Sequence, residues 1–254
     1  MSTLSLIYAL LFYTATVLLV VGLALRIKLY VSTPTPLKIP TMPAPLTKGG
    51  AAFRVFREVA FFESLFKSNR WIWIFAVLFH AGLALALMRH VRYFQADVWM
   101  IIKLIQPFGI YGGMAMMAGL FGLWARRVLQ ERIRYITGPS DHLMLALLVL
   151  IGASGLNMKY VVRTDIIEVK AYFLGLLRFN IQDLPTDPAL LIHLGAVAIL
   201  MIVFPFSKLL HVPGVFFSPA RNQVDDARDK RHLAAWAAPM DVARDAAIEA
   251  HRKA

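Results

Sequence analysis

The chain has 254 residues, of which 59% are hydrophobic and 17% are charged, whereas a soluble domain of this length carries roughly 25% charged residues. The apolar residues are concentrated in blocks, so the composition excludes an ordinary soluble domain and predicts a polytopic membrane protein. The net charge of +12 does not indicate a nucleic-acid partner, because the basic residues fall between the apolar blocks, where the positive-inside rule places them. The chain has no cysteine, which excludes disulfides, thiolate-ligated clusters, c-type haem attachment and cysteine-dependent zinc sites.

Five segments are long and apolar enough to cross a bilayer, which takes about 20 residues. They cover about residues 4–25, 71–93, 107–125, 141–158 and 188–210. The first has neither a basic stretch before it nor a small-residue cleavage pattern, so we interpret it as a retained helix and not as a signal peptide. The Pro-rich stretch 33–46 cannot form a regular helix, and residues 51–69 are predicted to form an amphipathic helix on the membrane surface.

The remaining segments complete an all-α integral membrane protein. Residues 159–187 are predicted to contain a short interfacial helix, and residues 218–254 form a polar, partly helical tail. We therefore predict a five-span membrane domain over residues 1–217, followed by a tail over residues 218–254.

The distribution of Lys and Arg predicts the orientation. Residues 26–70, 126–140 and 212–254 hold 19 of these residues, whereas the connections 91–106 and 158–187 hold six. With five spans, the positive-inside rule places the N-terminus outside and the C-terminal tail in the cytoplasm.

Four of the seven histidines lie in the second and fifth spans, as His80 and His90 in one and His193 and His211 in the other. An intramembrane imidazole is costly unless it has a partner, so these residues are candidate functional groups. The two spans are antiparallel, which pairs His90 with His193 towards the outside and His80 with His211 towards the cytoplasm. Two such pairs without cysteine point to bis-histidine ligation of two b haems, with the four histidines as axial ligands of the iron.

Helix geometry makes this pairing plausible but leaves a mismatch. Ten residues separate His80 from His90, about 15 Å of helical rise, whereas eighteen separate His193 from His211, about 27 Å. Tilt, imidazole reach and a kink at Pro205 are expected to absorb the difference.

Two other classes of function remain open from the residues alone. The histidines are also compatible with a proton relay in a transporter or channel, or with hydrogen-bonded residues of a haem-free membrane anchor. His142 is interpreted as an interfacial residue, with Ser140 or Asp141 as the N-cap of the fourth span. His232 and His251 lie in the polar tail and are expected to be solvated.

Three stretches carry a resemblance to a known family: LFHAGLALALMRH, TGPSDHLMLALLVLIGASG and LLIHLGAVAILMIVFPFSKLLH. The chain resembles the membrane cytochrome b family typified by the gamma subunit of respiratory nitrate reductase. The family carries two histidines ten residues apart in its second span and two eighteen apart in its fifth, and His80, His90, His193 and His211 fall on those positions. The flanking segments TPTPLKIPTMPAP, REVAFFESLFKSNRWIWIF and GVFFSPARNQVDDARDKRH are most similar to the membrane subunit associated with dissimilatory sulfite reductase, DsrM.

The resemblance implies a dihaem subunit of a larger electron-transfer complex in a bacterial cytoplasmic membrane. It would move electrons between a quinone pool, of menaquinone or ubiquinone, and a cytoplasmic iron–sulfur partner similar to heterodisulfide reductase, in dissimilatory sulfur metabolism. Further implied partners are a periplasmic multihaem cytochrome c, a periplasmic iron–sulfur protein and a second membrane subunit. The alternative within the family is a nitrate reductase gamma subunit.

The quinone site cannot be carried over residue by residue. The nitrate reductase subunit has a lysine near its outer haem, and Tyr111 lies near that place in this sequence. The polar candidates for a quinone near the outer haem are Arg89, Arg92, Tyr93, Lys103 and Tyr111, and each is also an ordinary interfacial anchor.

Overall fold

The computed structural model describes residues 2–35, 37–226, 236 and 238–253, and no residue in these ranges is in a β-strand. Thirteen α-helices occur within them, joined by short turns of other helical types: α1 (Thr3–Ser32), α2 (Lys48–Phe61), α3 (Glu63–Ser68), α4 (Arg70–His90), α5 (Met100–Ile105), α6 (Phe108–Leu129), α7 (Glu131–Ile136), α8 (Pro139–Asn157), α9 (Ile166–Leu177), α10 (Pro188–Val203), α11 (His211–Gly214), α12 (Pro219–Asn222) and α13 (Ala238–Lys253).

Five helical segments in the described chain are long and apolar enough to cross a membrane: Thr3–Ser32, Arg70–Tyr93, Phe108–Leu129, Pro139–Val162 and Pro188–Phe206. The predicted all-helical fold with five candidate spans is therefore confirmed. Which terminus faces outward stays a prediction from the charge pattern.

The surface helix expected over residues 51–69 is interrupted at Phe62. Helix α2 ends at Phe61 and α3 begins at Glu63, because Phe62 adopts the left-handed region with φ of 49°. The indole Nε1 of Trp73 donates a hydrogen bond to the carbonyl of Phe61 at 2.7 Å. That bond satisfies a carbonyl at the end of α2. The prediction of a single continuous helix over residues 51–69 was therefore wrong, because the backbone of Phe62 breaks it.

The fifth span departs from a regular helix at its C-terminal end. Proline cannot donate an N–H within a helix, and the α-helical part of this span ends at Val203, two residues before Pro205. A 3₁₀ turn covers Phe204–Phe206 and a second covers Lys208–Leu210. The Nε of Arg26 donates to the carbonyl of Pro205 at 3.2 Å, so α1 supplies a partner at this break.

The chain divides into two compact units, residues 1–26 with 60–211 and residues 27–59 with 212–254. In the first unit, hydroxyl groups join α1 to its neighbours. Tyr8 donates to the carbonyl of Leu191 at 2.9 Å, and Tyr13 donates to that of Leu176 at 2.9 Å. Tyr172, fully buried in α9, donates to the carbonyl of Ser5 at 3.1 Å, and burial raises the pKa of Tyr172 to about 12. These bonds satisfy the hydroxyl groups of all three tyrosines where α1, α9 and α10 meet.

The second unit holds the Pro-rich connection against the segment that follows the fifth span. The side chain of Gln223 accepts from the amide of Ile39 at 2.9 Å and donates to the carbonyl of Leu37 at 3.1 Å. Lys38 pairs with Asp226 at 3.1 Å. Side chains therefore satisfy the backbone of a connection that has no regular secondary structure.

Helices α4 and α6 approach each other through glycines. A Cβ atom on Gly82 would lie 2.5 Å from the carbonyl oxygen of Gly112, and one on Gly119 would lie 2.5 Å from the amide nitrogen of Phe79. Small residues allow such close packing of helices within a membrane, where burial of apolar surface from water supplies little driving force. The position of α4, which carries two of the candidate histidines, therefore depends on these glycines.

We expect Gly119→Ala to destabilise the protein, because its Cβ must push against the backbone of α4. Overpacking costs roughly 1–3 kcal/mol, which exceeds the gain of about 1 kcal/mol in helix propensity. The matched control is Gly113→Ala in the same helix, whose Cβ would lie 3.6 Å from the nearest atom, Cδ2 of Leu156. Thermal unfolding in detergent should show a lower midpoint for the first variant only, and equal midpoints would contradict the packing argument.

Candidate functional site

The four histidines of the second and fifth spans form two pairs in the structure. The ring centres of His90 and His193 lie 6.2 Å apart, with an angle of 13° between the ring planes. The ring centres of His80 and His211 lie 6.1 Å apart, with an angle of 88°. These are the two combinations expected from antiparallel spans. Because His80 and His90 are ten residues apart on α4, the pairs are separated along that helix by about 15 Å.

The Nδ1 atom of every one of these imidazoles lies within hydrogen-bond distance of a backbone carbonyl. The acceptors are Ala76 for His80 at 2.8 Å, Ala86 for His90 at 2.6 Å, Ile151 for His193 at 3.0 Å and Lys208 for His211 at 3.0 Å. A carbonyl can only accept, so Nδ1 carries the proton in each ring and Nε2 has the free lone pair. Donation from the second ring nitrogen to a carbonyl is the usual state of a metal-bound histidine.

The spacing of each pair fits a metal ion between two imidazoles. Two metal–nitrogen bonds of about 2 Å, each extended by about 1.1 Å to the ring centre, separate the ring centres by about 6 Å. Both observed separations agree with this. The donor set, two neutral imidazoles per site, suits an iron whose other four ligands come from a porphyrin. Residues and cofactor are therefore compatible at both pairs.

No group of three or more His, Asp or Glu side chains in the described chain is arranged to hold a metal ion directly. A site with two protein ligands needs the rest of its coordination from another molecule. The pairs therefore fit a macrocycle better than a bare ion.

Ser154 and Phe62 help to fix two of the four rings. The hydroxyl of Ser154 in α8 lies 3.0 Å from Nδ1 of His193, so the proton on this nitrogen is shared between the serine oxygen and the carbonyl of Ile151. The ring of Phe62 packs 4.9 Å from that of His80, centre to centre. The left-handed residue that interrupts the surface helix thus contributes a wall of the His80 site.

His211 is held by a different arrangement, since it lies beyond the helical part of the fifth span. The carbonyl that accepts from its Nδ1 belongs to Lys208, and the Nζ of Lys208 bonds the two carboxylate oxygens of Asp141 at 2.7 and 2.8 Å. Asp141 is 7% exposed. An ion pair therefore links the start of α8 to the turn that precedes His211.

The start of α8 also corrects the predicted N-cap. The N-cap is Gly138, and Asp141 is the third residue of the helix, where its carboxylate accepts from the Gly138 amide at 3.1 Å. Neither Ser140 nor Asp141 is the N-cap. The neighbouring His142 accepts at Nδ1 from the indole Nε1 of Trp124 at 3.0 Å and belongs to neither histidine pair. His251 is exposed in α13, and His232 lies outside the described residues.

Three of the five quinone candidates lie close to the His90–His193 pair. The ring of Tyr93 is 5.9 Å from that of His90. An Nη of Arg92 donates to the Tyr93 hydroxyl at 2.9 Å, and one of Arg89 donates to the carbonyl of Gln106 at 2.6 Å. The guanidinium groups of Arg89 and Arg92 are both within electrostatic reach of His90.

The other two quinone candidates do not join this group. Lys103 in α5 is exposed, and Tyr111 in α6 is 70% exposed. Neither side chain makes a hydrogen bond to any residue that the structure describes. Their positions are compatible with ordinary contact with lipid or with the membrane interface.

Sequence reasoning missed several contributors to the site. In the sequence, Ser154 is only a hydroxyl in an apolar span. The carbonyl four residues earlier, that of Leu150, is an equally good partner for such a hydroxyl. The Asp141–Lys208 pair joins residues 67 positions apart, and no local pattern relates them. A buried acid at the start of a span was the signal that could have drawn attention to it.

Comparison with known proteins agrees with the resemblance read from the sequence. The profile of the nitrate reductase gamma subunit family matches residues 59–222, which include all four paired histidines. A protein of Archaeoglobus fulgidus named Hdr-like menaquinol oxidoreductase cytochrome b-like subunit is 34% identical, over 91% of this chain and 82% of its own length. A protein of Archaeoglobus profundus with the same name is 32% identical, over 88% of this chain and 80% of its own length. The chain is thus a multi-pass membrane protein that belongs to the nitrate reductase gamma subunit family.

Proposed function

We propose that this chain is a dihaem b subunit that transfers electrons between a quinone pool and a cytoplasmic iron–sulfur partner similar to heterodisulfide reductase. One b haem would be ligated by His90 and His193, and the other by His80 and His211. The observation that carries the proposal is the geometry of these pairs. Both have the separation of a bis-imidazole metal site, and all four Nδ1 atoms are engaged, so that Nε2 is the nitrogen available for ligation.

The names of the relatives support the quinone and the partner. Both Archaeoglobus proteins are named as menaquinol oxidoreductase subunits of a complex similar to Hdr. We extend this to menaquinone or ubiquinone as substrate here and to an iron–sulfur subunit of that kind as the cytoplasmic partner. We also propose a setting in dissimilatory sulfur metabolism in a bacterial cytoplasmic membrane, with periplasmic cytochrome c and iron–sulfur subunits and a second membrane subunit.

The residues of this chain would bind and orient the cofactors and keep water away from them. Bound haem supplies one-electron chemistry at the iron. The four imidazoles, whose tautomers are fixed, would hold two haems at positions about 15 Å apart along α4. Because two histidines of this chain would hold each haem, neither site would offer the iron to a substrate, and the chain would conduct electrons without carrying out bond chemistry itself.

The exposed basic residues near α7 would attract the cytoplasmic partner. Arg132 and Arg134 are exposed in α7, and the charge pattern predicts that this segment faces the cytoplasm. Complementary charge mainly speeds association and fixes orientation. For the quinone, the end of the second span, which carries Arg89 and Tyr93, offers polar groups beside the His90–His193 pair.

Replacing one histidine of a pair should remove one haem. We expect His90→Ala and His80→Ala each to reduce the pyridine haemochrome count from about two to about one per chain, or to leave one haem high-spin. The control is His142→Ala, whose ring belongs to neither pair, and it should keep both low-spin haems. A relay or an anchor without haem predicts no pigment in the parent protein, and retention of two low-spin haems in His90→Ala would refute the assigned pairing.

The two sites should differ in their electron paramagnetic resonance spectra. When two imidazole planes are nearly parallel, they separate the energies of the two iron π-symmetry d orbitals, whereas perpendicular planes leave them nearly equal. The 13° pair should therefore give a rhombic low-spin signal and the 88° pair a highly anisotropic one. His80→Ala should abolish only the anisotropic signal, and two identical signals in the parent protein would contradict the difference in geometry.

Loss of the ion pair at the start of α8 should disturb one site only. In Asp141→Asn the Lys208 turn loses its anchor, and an imperfectly satisfied buried group costs about 1–3 kcal/mol. We expect the anisotropic low-spin signal of the His80–His211 site to convert partly to high-spin, while the rhombic signal of His90–His193 is unchanged. Lys208→Arg keeps the charge and should keep both signals. Equal disturbance of both sites would mean that the ion pair acts on the whole fold.

A further inference from the structure

Arg92 lies at the end of the second span with part of its guanidinium buried and unpaired. Its Nη2 donates to the Tyr93 hydroxyl, but its Nε has no hydrogen-bond partner and almost no solvent exposure. A buried donor without a partner is rare in a folded protein, and a charged one is more costly than a neutral one. The Nε of Arg92 is therefore positioned for an acceptor that the protein itself does not supply.

No carboxylate of the described chain lies within ion-pair distance of Arg92 or of the neighbouring Arg89. The side chain of Arg89 is held by the carbonyl of Gln106, and its aliphatic carbons lie over Gly109, where a Cβ would come within 2.7 Å of them. The guanidinium groups are near enough to each other and to His90 to interact electrostatically. Two uncompensated cations at a membrane-spanning helix end form a local excess of positive charge, which favours an anion.

An ordinary interfacial anchor does not account for this arrangement. An arginine that extends towards the membrane surface places its charged end in water. Here the guanidinium carbon of Arg92 lies 4.9 Å from the centre of the Tyr93 ring, and that ring is 5.9 Å from the ring of His90. The stacking holds the guanidinium beside the histidine pair and not away from it.

We infer that Arg92 binds a propionate of the haem that His90 and His193 would ligate. The inference rests on the proposed function, since it requires a haem at this pair. A carboxylate is the acceptor that matches a guanidinium in charge and in its forked geometry, and the propionates are the anionic groups of a b haem. Arg92 would then set the rotation of the macrocycle about the axis between the two histidines and add a positive charge close to it.

Binding of a haem propionate and binding of the quinone predict different effects of a substitution at Arg92. A cation next to a haem stabilises the reduced iron, which carries one positive charge fewer, and so it raises the reduction potential of that haem. A unit charge roughly 10 Å away in a partly buried site changes such an equilibrium about tenfold. A residue that contacts only the quinone would change the Michaelis constant for quinol and leave the potentials of both haems in place.

The test is a potentiometric titration of both haems in the purified full chain, with a haem count for each variant. We expect Arg92→Gln to keep both haems and to lower the potential of the rhombic, His90–His193 haem by about tenfold in equilibrium constant, which is about 59 mV for one electron. The potential of the His80–His211 haem should not change. Arg92→Lys should recover most of the shift, and Lys103→Gln, which removes an exposed cation from α5, should cause none.

Two results would overturn the inference while the proposed function stands. The first is unchanged potentials in Arg92→Gln together with a raised Michaelis constant for quinol, which would assign Arg92 to the quinone. The second is unchanged potentials with unchanged kinetics, which would leave Arg92 a structural residue. A parent protein without haem would instead overturn the proposed function, and the inference with it.

A second measurement covers the case in which Arg92→Gln does not accumulate. Redox-induced infrared difference spectra of the parent protein and Arg92→Lys report the carboxylate stretching bands of the propionates. Loss of the forked contact should shift one of these bands in Arg92→Lys. Identical propionate bands in the two proteins would count against a contact between Arg92 and the macrocycle.

Discussion

The structure depends on the hydrogen bond between Nδ1 of each intramembrane histidine and a backbone carbonyl. An imidazole inside an apolar helix must satisfy its N–H, and a carbonyl within reach does so without another polar side chain. In α4 the acceptor is the carbonyl four residues earlier, Ala76 for His80 and Ala86 for His90. This one bond lowers the cost of burial, fixes the tautomer and leaves the lone pair of Nε2 free. Under the proposed function, the same contact would thus meet both a structural and a functional requirement.

Under the proposed function, the fixed tautomer is useful only if the partner ring lies at the correct distance, and close helix packing holds the rings at the observed separations. The glycines of α4 and α6 allow backbone contact at Gly82 and Gly119. On the other side, His193 is bonded to the carbonyl of Ile151 in α8, so its ring orientation depends on the position of a neighbouring helix. A shift of any of these helices by about 1 Å would change the separation of a pair by a large part of a metal–ligand bond.

The pairing of the histidines could be predicted from the sequence, whereas the backbone break and the long-range contacts that hold the rings in place could not. Antiparallel spans and the positions of His80, His90, His193 and His211 were sufficient to propose which rings meet, and the structure brings the same rings together. The axial mismatch that this pairing implied came from treating the fifth span as one regular helix. Because α10 ends at Val203 and Ser207 adopts an extended backbone between two 3₁₀ turns, the eighteen residues do not rise along one helix axis, and the value of about 27 Å calculated for a straight helix does not apply.

What the sequence could not predict are contacts between residues that are distant along the chain. The bond from Arg26 to the carbonyl of Pro205 stabilises the break in the fifth span, but proline alone signals only that a break occurs. The positive φ of Phe62 is likewise invisible in a sequence, because such backbone is uncommon for a non-glycine residue. Periodicity reports which residues face inward within one element, and it carries no information about which remote side chain satisfies a freed carbonyl.

The two histidine pairs differ in how their positions are enforced, and this difference has a physical consequence. His90 and His193 both belong to regular helices, so the ladders of backbone hydrogen bonds hold their Cα atoms. His211 follows two 3₁₀ turns and relies on the Lys208–Asp141 contact, in which the lysine side chain is 73% exposed. Segments with few helical bonds and exposed anchors open at a lower free energy than regular helices. The His80–His211 site is therefore the more adaptable of the two, and the charge pattern predicts that it lies towards the cytoplasm.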